Sequence, residues 1–169
     1  MWRLSRSREL RRTLLAIGAL FLAPLPHTAR SGAAAESTPP PGSPAGVVNA
    51  QLAWQNWALN CQGCHQSDGT GSANAAPSLA GNVAKFLWVP GGREYLGRVP
   101  GVANSPLADA ELAEVMNWML WRFDREDLPS NLQPFTAAEI GQLRAHPLRL
   151  EASQVRGDLL KNAEAAGRP

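Results

Sequence analysis

Cysteine occurs twice in this chain, as Cys61 and Cys64, and His65 follows at once, giving Cys61-Gln62-Gly63-Cys64-His65. Two cysteines so close together cannot staple a fold, so they mark chemistry at one spot. A C-x-x-C pair alone suits a thiol redox centre or half of a zinc site. A zinc site needs further Cys or His ligands, and beyond the first 35 residues only His146 remains. A thioredoxin-type centre needs βαβ patterning, which is absent. With the histidine included, the pentapeptide reads as a c-type haem attachment sequence. Two thiols three residues apart on a helical turn can each take one vinyl group of a haem, and the adjacent imidazole then reaches the iron.

Residues 1–12 carry Arg3, Arg6, Arg8, Arg11 and Arg12 against Glu9, and Leu14 to Leu25 form an apolar run that ends at Pro24 and Pro26. That is the pattern of an export signal, too short for a spanning helix, with a small-residue cleavage site at Gly32-Ala33-Ala34-Ala35. Residues 1–35 are therefore expected to be removed, leaving no stable membrane span and a periplasmic protein; if kept, they would tether it to the membrane. Removal takes six arginines and one glutamate and leaves a net-acidic remainder with lysine only at 85 and 161. The charge argument for nucleic-acid binding goes with them. Residues 36–46, ESTPPPGSPAG, read as an extended linker that does not pack.

In the remainder, Val48, Leu52, Trp54, Trp57, Ala58 and Leu59 recur at helical spacing and predict a helix over 47–60 running into Cys61. Residues 66–82 are small, polar and glycine-rich, a loop, and 83–89 a short helix or turn. Four glycines and three prolines between Pro90 and Pro106 predict a second long loop. Asp109, as cap or first-turn residue, then opens a helix with the stripe Leu112, Val115, Met116, Met119, Leu120 and Phe123. Thr136-Ala137-Ala138-Glu139 matches a capping box ahead of Ile140, Leu143 and, beyond Pro147, Leu148 and Leu150, a last helical segment. No strand alternation is sustained, so the domain is expected to be all-α: a few helices and long loops wrapped around one covalently bound haem.

From Val47 to Phe123 the chain resembles the class I cytochromes c, with 124–169 as an unmatched C-terminal helical extension. The resemblance rests on CQGCH, the glycine-rich loop after it, Ala76-Pro77-Ser78-Leu79, similar to that family's Pro-x-Leu element, and the helix at Glu111–Leu120 with Trp118 at its aromatic position. It implies one haem c held through Cys61 and Cys64, His65 on the iron, the Pro77 carbonyl on the imidazole Nδ1 proton, and Leu79 on the porphyrin face. It also implies that the last helix crosses the one ending at Cys61, with Trp54, Trp57 and Trp118 as candidates for the crossing.

The resemblance stops at the sixth iron ligand. The loop where that family carries methionine reads Arg98-Val99-Pro100-Gly101-Val102-Ala103-Asn104, with neither methionine nor histidine. Met119, Met116 or His146 could take the position, or it stays open to small ligands. Arg93 and Arg98 are candidates for neutralising haem propionates. The function implied is one-electron transfer between a dehydrogenase and an oxidase or other cytochrome, an electron carrier rather than an enzyme. An open sixth site would instead make a sensor or weak peroxidase, and the extension would suit a cytochrome subunit of a larger dehydrogenase.

Overall fold

A computed structural model describes residues 42–73 and 76–167. The export-signal and cleavage expectations, and most of the linker, lie outside the described residues. Among the described residues the structure is helical, with one isolated bridge between Ser72 and Ala76 and no strand.

Helix α1 spans Ala50–Asn60, and the Asn49 side chain caps it by accepting the Leu52 N–H. Cys61 breaks the helix for one residue, and α2 (Gln62–His65) carries the rest of the motif. The glycine-rich stretch is a loop, as expected. Asp68 Oδ1 shapes it by accepting from both the Thr70 N–H and hydroxyl, which hold its carboxyl below the usual range. A 3₁₀ turn, η1, follows at Ala84–Trp88.

The expected second loop is in fact two helices, α3 (Gly92–Arg98) and α4 (Pro100–Ala103). Its glycines and prolines serve packing and helix starts. Gly92 and Gly97 are buried, and a Cβ on Gly92 would fall onto the Phe86 carbonyl. Pro100 opens α4 at its first turn, where no N–H is needed.

Helix α5 (Asp109–Asp124) is the spine, with Glu111 reaching back to the Ala108 N–H. A short 3₁₀ turn, η2, follows at Arg125–Asp127. The last segment divides in two, α6 (Ala137–Arg144) and α7 (Ala152–Ala165), because Pro147 stops the first. Leu148 is buried behind the break, whereas Leu150 is 99% exposed. Thr136 caps α6 through the Glu139 N–H, but the Glu139 carboxylate turns to Arg93 instead of completing the box.

Helix α1 packs on α5, as the resemblance implied. Trp57 meets Trp118 at 5.6 Å and Phe123 at 5.0 Å between ring centroids. Trp54 is no part of this crossing; it is 46% exposed. Helix α6 packs on α5 and α3, and α7 on η1 and α3, so residues 124–167 share the core of the domain. Among the described residues, those after Asp124 belong to the same compact unit as the helices before it. The end of the linker packs as well. Pro44 is buried, and the Gly46 carbonyl accepts from the Asn117 side chain at 3.2 Å. Asn117 also bridges both backbone groups of Phe135 and so ties the start of the domain to the segment before α6.

Candidate haem site

The motif is held at the surface end of α1. The Cys61 N–H still bonds the Trp57 carbonyl at 2.8 Å, so the first cysteine continues the helix that Trp57 anchors in the core. The His65 N–H and Gln66 N–H close the α2 turn on Cys61 and Gln62. Cys61 is partly buried and Cys64 exposed, both as free thiols. Burial first, and the charge of Cys64 second, push the Cys61 thiol up to about 11, so it stays protonated at neutral pH. Among the described residues no group of three or more His, Cys, Asp or Glu could hold a metal ion, which leaves a zinc site without its ligands.

His65 Nδ1 lies 3.0 Å from the Pro77 carbonyl oxygen. A carbonyl only accepts, so Nδ1 carries the proton and Nε2 keeps its lone pair. Burial lowers the imidazole's affinity for a second proton, partly offset by this bond. The loop is folded to bring Pro77 there. The Ser72 hydroxyl donates to the Cys64 carbonyl at 2.8 Å, the Gly71 N–H to His65 at 2.9 Å, and the Leu79 N–H to Gly69 at 2.7 Å. Gly71 and Gly69 take positive φ, and a side chain at Gly71 would strike the Ala76 and Pro77 backbone. Leu79 is partly buried against the core. Two free thiols, an imidazole with its outer nitrogen available and a carbonyl fixing its tautomer form a donor set that fits a covalently attached haem.

The other candidates have partners of their own. Arg93 makes two bonds to Glu139, at 2.6 and 2.7 Å, donates to the Gln133 and Pro134 carbonyls, and lies 4.0 Å above the Phe135 ring. Arg98 Nε donates to the His146 carbonyl. Both guanidinium groups bind the C-terminal segment. Met116 and Met119 are buried on α5. His146 is exposed, two residues past the end of α6. No motif singles out Arg144 in the sequence, yet it gathers the shortened loop: it donates to the carbonyls of Ala103, Ser105 and Leu107 and to Asp109. Its place after Ile140 and Leu143 on a helix is the one local hint that it faces inward.

No family model matches the chain. Two curated relatives do, both named cytochrome c-552 and both from Thermus thermophilus. One is 36% identical over 121 residues, covering 61% of this chain and 82% of the relative. The other is 38% identical over 106 residues, covering 52% and 81%. In each case the matched stretch is longer in the relative than in this chain, so the relatives carry residues that this chain lacks. With the helical fold, the C-x-x-C-H geometry and relatives matched over four fifths of their length, the chain belongs to the c-type cytochromes, carries covalently bound haem c and is an electron carrier.

Proposed function

We propose that this protein is an exported cytochrome that takes one electron at a time from a dehydrogenase and passes it to an oxidase or another cytochrome. In this reading Cys61 and Cys64 hold the haem by two thioethers and His65 binds its iron through Nε2. The haem supplies the one-electron couple; the chain positions it, buries it and limits access to it. The observation that carries the reading is the 3.0 Å contact from Nδ1 of His65 to the Pro77 carbonyl, which assigns the proton to Nδ1 and leaves Nε2 with the lone pair an iron would take.

Met119, or Met116 beside it, is the sixth ligand that suits a carrier, since a thioether raises the potential and closes the iron. His146 is disfavoured by its bonds. Its carbonyl takes Arg98 Nε at 2.7 Å, and the Leu148 N–H returns to the Arg98 carbonyl at 2.8 Å, which pins this segment to the end of α3.

One observation favours a second reading. The segment from Arg98 to Leu107 has no methionine or histidine, and Arg144 holds the carbonyls of Ala103, Ser105 and Leu107, so no thioether or imidazole of this segment is there for the iron. If neither methionine of α5 reaches the iron, the sixth position is open and the protein binds small ligands.

The test is the absorption spectrum of the haem-loaded protein, followed by carbon monoxide added to the reduced form. The carrier reading expects the far-red iron–sulfur band and no reaction with carbon monoxide, with Met119→Ala or Met116→Ala abolishing the band and admitting the gas. Immediate binding by the unaltered protein puts the second reading first. Haem retained by the Cys61→Ala, Cys64→Ala double variant would remove the attachment assignment.

A further inference from the structure

Among the described residues one carboxylate is buried, that of Asp124, which is 5% exposed at the last position of α5. A helix ends there on its unsatisfied carbonyls, the negative end of its dipole, which disfavours an anion. No salt bridge to Asp124 is formed among the described residues. One of its oxygens accepts the Ala84 N–H at 2.6 Å, and the Asp127 carboxyl is near enough to share a hydrogen bond with it. Two carboxyl groups make such a bond only when one of them holds a proton. Burial raises the Asp124 pKa most and the Ala84 N–H draws it back; Asp127 raises it again, by its charge and by that bond.

This end of α5 anchors the segment that fixes His65. The Phe123 carbonyl accepts the Gly81 N–H at 3.0 Å, and the Phe123 ring lies where a Cβ on Gly69 would strike it. The Gly69 carbonyl in turn accepts the Leu79 and Ala80 N–H groups, and the Leu79 carbonyl accepts those of Asn82 and Val83. Asp124 thus holds the far end of a folded stretch that begins at Pro77, the acceptor for His65 Nδ1. From Gly69 to Ala84 no Asp, Glu, Lys or Arg occurs, so this stretch carries no charge of its own to screen the carboxylate. The charged groups around it are turned to other partners. Lys85 Nζ donates to the Asn82 side chain, Arg125 stands 4.0 Å from Glu126, and Arg122 and Arg156 lie over the rings of Phe123 and Phe86. Asp68, in the loop against Phe123, is bonded to Thr70.

We propose that Asp124 and Asp127 form a redox-linked proton site: the pair keeps one proton in the reduced protein and gives it up to water when the protein is oxidised. The proposal rests on the electron-carrier reading above. On oxidation one electron passes to the partner's oxidised centre and one proton passes from the Asp124 carboxyl to water; reduction reverses both. The cause is charge. The oxidised protein carries one more positive charge at the haem site, and across a dry, uncharged loop that charge favours the ionised carboxylate. The reduction potential therefore falls as pH rises through the interval in which the pair titrates, and this protein's driving force depends on the pH around it.

The experiment is an optical redox titration of the haem-loaded full chain, repeated from about pH 4 to about pH 9. The proton affinity of the pair is expected to differ about tenfold between the two oxidation states, which is about 59 mV in a one-electron potential. Asp124→Asn, neutral at every pH, should match the wild-type potential at the acid end and lie about 59 mV above it at the alkaline end. Reading the difference between the two curves removes every titration they share. Asp127→Asn takes away the neighbouring charge and should move the wild-type fall to lower pH. Asp158→Asn, which removes an exposed carboxylate paired with Lys161, should follow the wild type. A pH-indicator dye in weak buffer gives a second readout: oxidation by ferricyanide should release more protons from the wild type than from Asp124→Asn.

A difference between wild type and Asp124→Asn that is the same at every pH would overturn the proposal, because altered packing shifts a potential without moving a proton. So would equal proton release from the two proteins. If Asp124→Asn gives no haem-loaded protein, the Asp127→Asn curve decides, and a fall left at its wild-type pH overturns the assignment. Failure of the electron-carrier reading has its own signature: the reduced wild-type protein binds carbon monoxide at neutral pH, and the carboxylate variants bind it equally.

Discussion

Asp124 closes α5 with its carboxylate buried against the Ala84 N–H at 2.6 Å. Burial raises its pKa, only partly countered by that hydrogen bond, and the nearby Asp127 raises it further. The folded state thus holds the proton to higher pH than the unfolded chain does. Between the two pKa values the native state binds more protons, so this group's contribution to stability falls as pH rises through the folded value and stays lost at neutrality. Asp124→Asn keeps an oxygen to accept from Ala84 without a charge to desolvate. It is expected to stabilise the protein by about 1 kcal/mol at pH 7 and by little near pH 4, as urea titrations at the two pH values would measure. A variant less stable than the parent at pH 7 would mean that the charged acceptor's stronger bond outweighs its burial.

At the scale of elements, the shortened loop before α5 shows how the C-terminal helices act. Arg144, one turn after Ile140 on α6, satisfies three backbone carbonyls of Ala103–Leu107 that no strand or helix partner serves. Its charge also pairs with Asp109 in the first turn of α5 at 3.1 Å. Arg144→Ala leaves those carbonyls without their donor and is expected to destabilise the protein by about 2–3 kcal/mol. Amide hydrogen exchange should speed up at residues 103–108 while α1 keeps its protection. Uniform loosening of the whole domain would contradict a local clamp. Helices α3 and α4 were hidden in the sequence for a related reason. Gly92, Gly97 and Pro100 look like loop residues by composition, but the two glycines permit close approach to Phe86 and Leu143, contacts that no local pattern records.

Over the whole molecule, the cytochrome core and residues 124–167 bury one another. Ile140, Leu148, Leu159 and Ala163 join the same cluster as Trp57, Leu112 and Leu120. Asn117, on α5, holds Gly46 at the beginning of the domain and Phe135 near its end. A chain ending at Asp127 would expose the α6 side of α5 and leave Arg93 without Glu139 and Asn117 without Phe135. It is expected to lose cooperative thermal unfolding and most of its haem-loaded yield, whereas the full chain melts in one transition. A truncated chain that melts cooperatively would make the C-terminal segment an appendage.

What the residues determine without tertiary help is whatever depends on near neighbours. The C-x-x-C-H spacing, the helix leading into it, the glycine-rich loop and the stripe of α5 are set by contacts within a few positions, and they carry the haem reading and the all-α class. The tertiary structure decided the rest, because those outcomes depend on partners far along the chain. Arg93 and Arg98 are cations near a haem loop by sequence, yet folding brings Glu139 and the carbonyls of residues 133, 134 and 146 to them. Trp54 and Trp57 share a helix and a residue type, and only the direction from which α5 arrives buries one and leaves the other in water.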